Sequence, residues 1–256
     1  MQIRVPGLIV LCWAALAGGQ TLTISAAISL REVVGEIGTG FQHRTSVAVV
    51  ANFGASGVLA TQIAEGAPVD CFLSAGTREM DQLQKQGLID PATRRDICRN
   101  EVVLIVPTDA AFVPASFADL TDPRIGRISI GQPTTVPAGE YAMEVLKHLN
   151  IADAIASRLV FAQNVRQVLT YVTRDEVDAG IVYSTDAIEA GDSVRVAARA
   201  DASMHRPIIY PAAVVRTSAH PDLARQFLDY LQTSDARQVL LRHGFLVDLP
   251  VTRPTP

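Results

Sequence analysis

From residue 22 onward, short β-rich apolar runs alternate with amphipathic helical segments, and no other feature constrains the fold as much. The strand-like runs are Leu22–Ala27, Val47–Phe53, Cys71–Ser74, Val102–Val106, Arg127–Ile130, Leu159–Ala162, Gly180–Tyr183, Val194–Ala198 and Ile208–Val215. Between them Leu30, Val33, Val34, Ile37 and Phe41 recur at helical spacing. So do Tyr141, Val145 and Leu149, and again Val165, Val168, Leu169 and Val172. A periodicity that switches between 2 and 3.6 predicts an α/β fold, with mostly parallel strands buried on both faces. Near the end, Pro221 opens a helix carrying Leu223, Phe227 and Leu231, and Thr233 or Ser234 caps the next, which Gly244 ends.

The chain has 256 residues, 48% hydrophobic and 19% charged, which excludes a disordered tail and a disulfide-dense mini-domain. Its net charge is −4 with no basic run, so it lacks the cationic stripe that a nucleic-acid partner needs. No Pro/Gly-rich linker divides it. The pattern fits one sheet, or two lobes joined by strands that cross between them. For such crossings the runs at 101–107 and 207–215 are the best candidates, because they bracket a segment of ordinary domain size.

The first 20 residues read as a secretory signal peptide. Arg4 precedes an uncharged run from Val5 to Ala17, and Ala15-Leu16-Ala17 has the small-x-small form accepted at cleavage. Cys12 within that run raises a lipid-anchored alternative. The expected mature chain keeps Cys71 and Cys98, and spacing alone leaves their pairing open. Cys71, inside the apolar stretch DCFLSA, reads as a small buried hydrophobe.

Phosphate-loop, zinc-protease and dinucleotide-binding signatures are absent from the sequence. Gly54-Ala55-Ser56-Gly57-Val58 approaches a nucleophile elbow but lacks its last glycine, which leaves a Ser56-dependent hydrolase as the weaker alternative. His43, His148, His205, His220 and His243 stand in polar or helix-end contexts and read as surface residues. What recurs is a strand, a turn of small or hydroxyl residues, then a helix start. Ser29 caps the first helix in this reading, Ser56 opens a helix through Ala64, Val136-Pro137-Ala138-Gly139 opens the third, and Asn164 caps the fourth ahead of Val165. Helix starts carry free N–H groups and the positive end of the helix dipole, and in open α/β sheets they lie where ligands bind. Several that converge make an anion site out of dipoles rather than charges.

At these residues the sequence resembles the periplasmic molybdate-binding proteins of ABC importers. The likeness is carried by AAISL (26–30), FGASGVLATQI (53–63), GAPVDCFLSA (66–75), VPAGEYA (136–142), NVR (164–166), GIVYSTDA (180–187) and YPAAVV (210–215), in order from about residue 22 to 247. It implies a two-lobed, type II periplasmic binding protein fold: mixed sheets flanked by helices, with a hinged cleft. Lobe 1 would be 21–104 and 210–256, and lobe 2 would be 105–209. It also implies a ligand set of Ser29, Ser56, Ala138, Val165 and Tyr183, which hold molybdate, and tungstate with it, through hydroxyl and backbone donors. Any metal then enters only as the centre of the oxyanion, and no cofactor is expected. Sulfate or phosphate is the alternative ligand. The partner implied is a membrane permease with its ATPase, to which a monomeric periplasmic protein delivers its cargo. Arg166 is expected in a structural salt bridge and Asp186 as a cap or loop acceptor, since a carboxylate repels a dianion. Gly57 and Val58 stand where the family often has Ser or Thr, Asn164 where it has Asp, Ser184-Thr185 where it has Gly-Ser, and Cys71 where a larger apolar residue is usual; none of these removes a donor.

Overall fold

The computed structural model describes residues 20–247. The signal segment expected over 1–20 therefore lies, apart from Gln20, outside the described residues.

Two five-stranded sheets form the frame. The first has the order β2 (Ala48–Gly54), β1 (Thr21–Ala27), β3 (Cys71–Leu73), β10 (Ile209–Val214) and β4 (Arg95–Arg99). The second has β7 (Leu159–Ala162), β6 (Ile128–Gly131), β8 (Ala179–Tyr183), β5 (Val102–Pro107) and β9 (Val194–Arg199). The two orders correspond strand for strand: in each, a parallel trio at one edge is followed by an antiparallel pair that links the lobes. The sheets are thus mixed. The alternation pattern alone suggested mostly parallel strands, but β10 and β5 run antiparallel to both of their neighbours. An apolar run looks the same in either direction, so only tertiary pairing decides this.

Helices cover both sheets: α1 (Arg31–Thr45), α2 (Ser56–Ala64), α3 (Thr77–Lys85), α4 (Pro137–His148), α5 (Ala152–Ile155), α6 (Val165–Thr173), α7 (Ser184–Ala190), α8 (Pro221–Leu231) and α9 (Ser234–Arg242). The apolar stripes behave as their spacing requires. Val33, Val34, Ile37 and Phe41 of α1 are buried, as are Val165, Val168, Leu169 and Val172 of α6. All six residues of β5 and all five of β8 are buried, because helices cover both faces of these inner strands. Strand β4, sequence RDICR, carried no apolar alternation. It is the edge strand next to β10, bridged beyond that only at Arg99 to Leu246 among the described residues, and edges tolerate charge.

The chain passes between sheets at Asn100–Glu101, and returns between Arg199 and Ile209. The border expected at 104/105 falls inside β5. Val102, Val103 and Leu104 pair with Tyr183, Val182 and Ile181, and so belong to the second sheet. Both crossings lie side by side, with the Asn100 N–H donating to the Ile208 carbonyl at 3.3 Å. Cys71 and Cys98 are both free thiols, fully buried, and burial pushes each thiol far up. The Cys71 Sγ donates to the Ala224 carbonyl at 3.7 Å, as a small core residue with a weak donor.

Candidate functional site

Strands β1 and β2 of one sheet, and β6 and β7 of the other, point their carboxyl ends at the space between the lobes. Each is followed by a helix start. Ser29 lies in the 3-10 turn Ile28–Leu30 that leads into α1, Ser56 is the first residue of α2, Ala138 the second of α4 and Val165 the first of α6. At these positions backbone N–H groups have no partner inside the helix. Tyr183 ends β8 and faces the same space.

Ser29, Ser56, Ala138, Val165 and Tyr183 all line one cavity, together with Gly54 and Ala75 among others, and no lining residue carries a charged side chain. Its free volume is about 10 Å³, near that of a single water-sized sphere. Ser29 is 4% exposed, Ser56 1% and Tyr183 1%, so an ion held there would be stripped of bulk water.

Ser29 is not the cap that the sequence suggested, whereas Ser56 opens α2 as expected. The cap positions are Ala27 before the 3-10 turn and Ala55 before α2, and neither element has a side-chain cap bond. The Ser29 hydroxyl instead faces the Tyr210 hydroxyl at 3.1 Å. Ser56 Oγ accepts from the Ala75 N–H at 3.0 Å, which leaves its own proton uncommitted. Among the four helix starts facing the cleft, Asn164 caps as expected, accepting from the Gln167 N–H at 3.0 Å. Ala75 also links the lobes, since its carbonyl accepts from the Tyr183 hydroxyl at 3.1 Å. Burial raises the Tyr183 phenol far above its ordinary range, so it stays a neutral donor.

The charges near the cavity are engaged with one another. Arg166 of α6 meets Glu32 of α1 at 2.6 Å across the cleft, and Asp186 of α7 at 2.8 Å within its own lobe. The salt bridge expected of Arg166 is thus present, and Asp186, in the first turn of α7, is its buried counter-ion. Burial pushes the Asp186 carboxyl up to about 7, against the pull of the Arg166 guanidinium. On the opposite flank Arg78 donates to the Pro133 and Thr134 carbonyls at 3.3 and 3.1 Å, and pairs with Glu140 at 3.0 Å, again across the cleft. Beside it Glu79 is buried, and its carboxyl is pushed up by desolvation.

Sequence reasoning missed Ala75, Thr135, Tyr210 and Asn100. Ala75 and Thr135 act through backbone, Thr135 by accepting from the Gly57 N–H, and no side-chain pattern reveals this. Tyr210 read as part of an apolar strand, and Asn100 lay outside every strand-like run and drew no reading; their roles come from contacts between distant segments. None of the five histidines lines the cavity. The lining residues include no histidine or carboxylate, and the Ser56 oxygen is engaged by the Ala75 amide.

A model of the bacterial extracellular solute-binding protein family matches residues 22–246. The molybdate-binding protein ModA of Escherichia coli (strain K12) is 35% identical over 237 residues, which cover 91% of each chain. Among solved structures, the Azotobacter vinelandii periplasmic molybdate-binding protein aligns with a TM-score of 0.80 at 24% identity, over 90% of this chain and 99% of that one. The sulfate-binding protein SubI from Mycobacterium tuberculosis H37Rv aligns with a TM-score of 0.76 at 20% identity, over 90% and 88% of the two chains. At these identities the two structures establish the fold alone, and the fold is shared by proteins named for different anions.

Proposed function

This chain belongs to the family of bacterial extracellular solute-binding proteins, and from that premise we propose that it captures molybdate, and tungstate with it, between its lobes. The observation that carries this reading is the cavity where four helix starts and a buried tyrosine converge without a charged side chain in the lining. Such a site offers several hydrogen-bond donors to an anion and no carboxylate to a cation. Each charge-assisted hydrogen bond to a dianion contributes about 1.5–3 kcal/mol, so several offset much of its desolvation.

In this reading Ser29 and Ser56 give hydroxyl and backbone protons from one lobe. Ala138 and Val165 give backbone protons from the other. Tyr183 turns its hydroxyl from Ala75 toward the anion. A four-oxygen anion is larger than the present cavity, so seating it eases the lobes apart slightly before they re-engage. The protein works as a monomer in the periplasm after loss of its signal segment, and hands its cargo to a membrane permease driven by an ATPase. It needs no cofactor, and its only relation to the membrane is through that permease.

A thermal-shift panel of molybdate, tungstate, sulfate and phosphate on the mature protein tests the reading. A ligand at 100 times its Kd stabilises by about 2.7 kcal/mol. Molybdate and tungstate should raise Tm at micromolar excess. A shift with sulfate or phosphate alone would reassign the ligand, and no shift with any of them would remove the oxyanion reading.

A further inference from the structure

Tyr210 lies on β10, fully buried, with its ring against those of Tyr183 and Phe245. Its hydroxyl has Ser29 Oγ at 3.1 Å and Asn100 Nδ2 at 3.2 Å. Distance alone does not say which oxygen of the first pair donates. Asn100 does. Its Oδ1 accepts from the Glu101 N–H at 2.9 Å, which fixes the orientation of the amide. Its Nδ2 is therefore a donor, and spends one proton on Thr185 Oγ1 at 2.9 Å and the other on Tyr210.

The Tyr210 oxygen thus accepts from Asn100. Its own proton, buried with the phenol, requires an acceptor, and Ser29 Oγ is the one in reach. With that oxygen accepting from Tyr210, the serine proton is left for whatever occupies the cavity. We propose that Tyr210, oriented by Asn100, is a positioning residue that fixes the Ser29 hydroxyl as a donor into the anion site. This deepens the oxyanion reading and rests on it.

Three consequences follow from the chemistry. A chain of hydrogen bonds that all point one way polarises each member, so Ser29 becomes a stronger donor to a dianion than an isolated serine. The relay begins at Asn100, in the crossing between β4 and β5, so the donor is aligned by the same residue that joins the lobes. The device also holds Ser29 as a donor at any pH where the phenol is neutral, and burial keeps it neutral by raising the phenol far above its ordinary range.

The test is a double-mutant cycle read by calorimetry with whichever of molybdate, tungstate and sulfate the wild type binds most tightly. Tyr210→Phe keeps the ring and removes the relay. It should weaken that anion by about tenfold in the wild-type background and change nothing further in a Ser29→Ala background. Equal losses in both backgrounds would mean that Tyr210 acts on packing alone and would overturn the proposal, as would an unchanged affinity. Asn100→Asp supplies an independent arm. A carboxylate accepts from Tyr210, so the phenol oxygen must take the Ser29 proton and the arrow reverses. Its loss in the wild-type background should exceed its loss with Ser29→Ala, where only the added negative charge acts; equal losses would count against the relay. If the wild type binds none of the three anions, the oxyanion reading and this proposal fail together. If it binds one and the cycles are additive, the proposal alone fails.

Discussion

The Gly57 N–H donates to the carbonyl of Thr135 at 2.9 Å, and this bond joins the start of α2 in one lobe to the turn before α4 in the other. A β-carbon at Gly57 would lie 2.7 Å from that oxygen and 2.8 Å from the Thr135 Cα, too close for the lobes to remain in contact. The absence of a side chain one residue after Ser56 is thus what lets the lobes meet beside the cavity.

Gly57→Ala should hold the cleft partly open. The oxyanion affinity is expected to fall by about tenfold or more, since several donors come only from the closed arrangement. Unliganded stability should change little, because opening relieves the clash. Calorimetry together with small-angle scattering checks this, and a variant that binds as tightly and is as compact as the wild type would refute the latch.

Ser29→Ala and Ser56→Ala should each weaken binding by about tenfold through loss of one charge-assisted bond. Both should also lose stability in the absence of ligand, since Ser29→Ala leaves the buried Tyr210 hydroxyl without its acceptor. Ser56→Ala leaves the buried Ala75 N–H without its acceptor and should cost about 1–3 kcal/mol in urea denaturation. Unchanged affinity in both variants would argue that the anion sits elsewhere.

Arg166 serves two carboxylates of different burial, and their removal should have unequal effects. Asp186 is fully buried, so Arg166→Met strands its charge and should cost about 3–5 kcal/mol at pH 8. That loss should shrink at pH 5, where Asp186 takes up a proton instead. Glu32 is partly exposed, and Glu32→Gln should cost only about 0–1 kcal/mol. Denaturation curves at the two pH values decide; equal costs for the two variants would contradict the assignment.

The raised Asp186 carboxyl sets the sign of a pH dependence. In the folded chain it holds its proton up to about 7, whereas an ordinary aspartate loses it near 3.8. Within that window the folded state binds more protons than the unfolded one, so stability falls as pH rises, by at most about 1.4 kcal/mol per unit for one proton. The fall ends above about 7. Asp186→Asn should flatten the slope, leaving a residue of the same sign from Glu79, which is also raised. Denaturation of both proteins from pH 5 to 8 measures the difference, and parallel slopes would show that Asp186 does not titrate there.

Much of this protein was legible residue by residue, because the signals are local. The stripe from Leu30 to Phe41 is buried, and so is the run that became β5. The helix starts at Ser56, Ala138 and Val165 follow from small or capping residues placed after a strand. Family resemblance added Tyr183, whose phenol has no local signature. The sequence by itself therefore determined most of the elements, while its alternation left one sheet or two lobes open and the family resemblance chose between them. Tertiary structure alone decided the direction of β5 and β10, the strand RDICR, the cross-cleft pair of Arg166 with Glu32, and the Tyr210–Ser29 contact across 181 residues of chain. The physical reason is range. Periodicity and capping act within a few residues, whereas a hydrogen bond's direction, or a carboxylate's need for a counter-ion, exists only once packing has removed the water that would otherwise satisfy it.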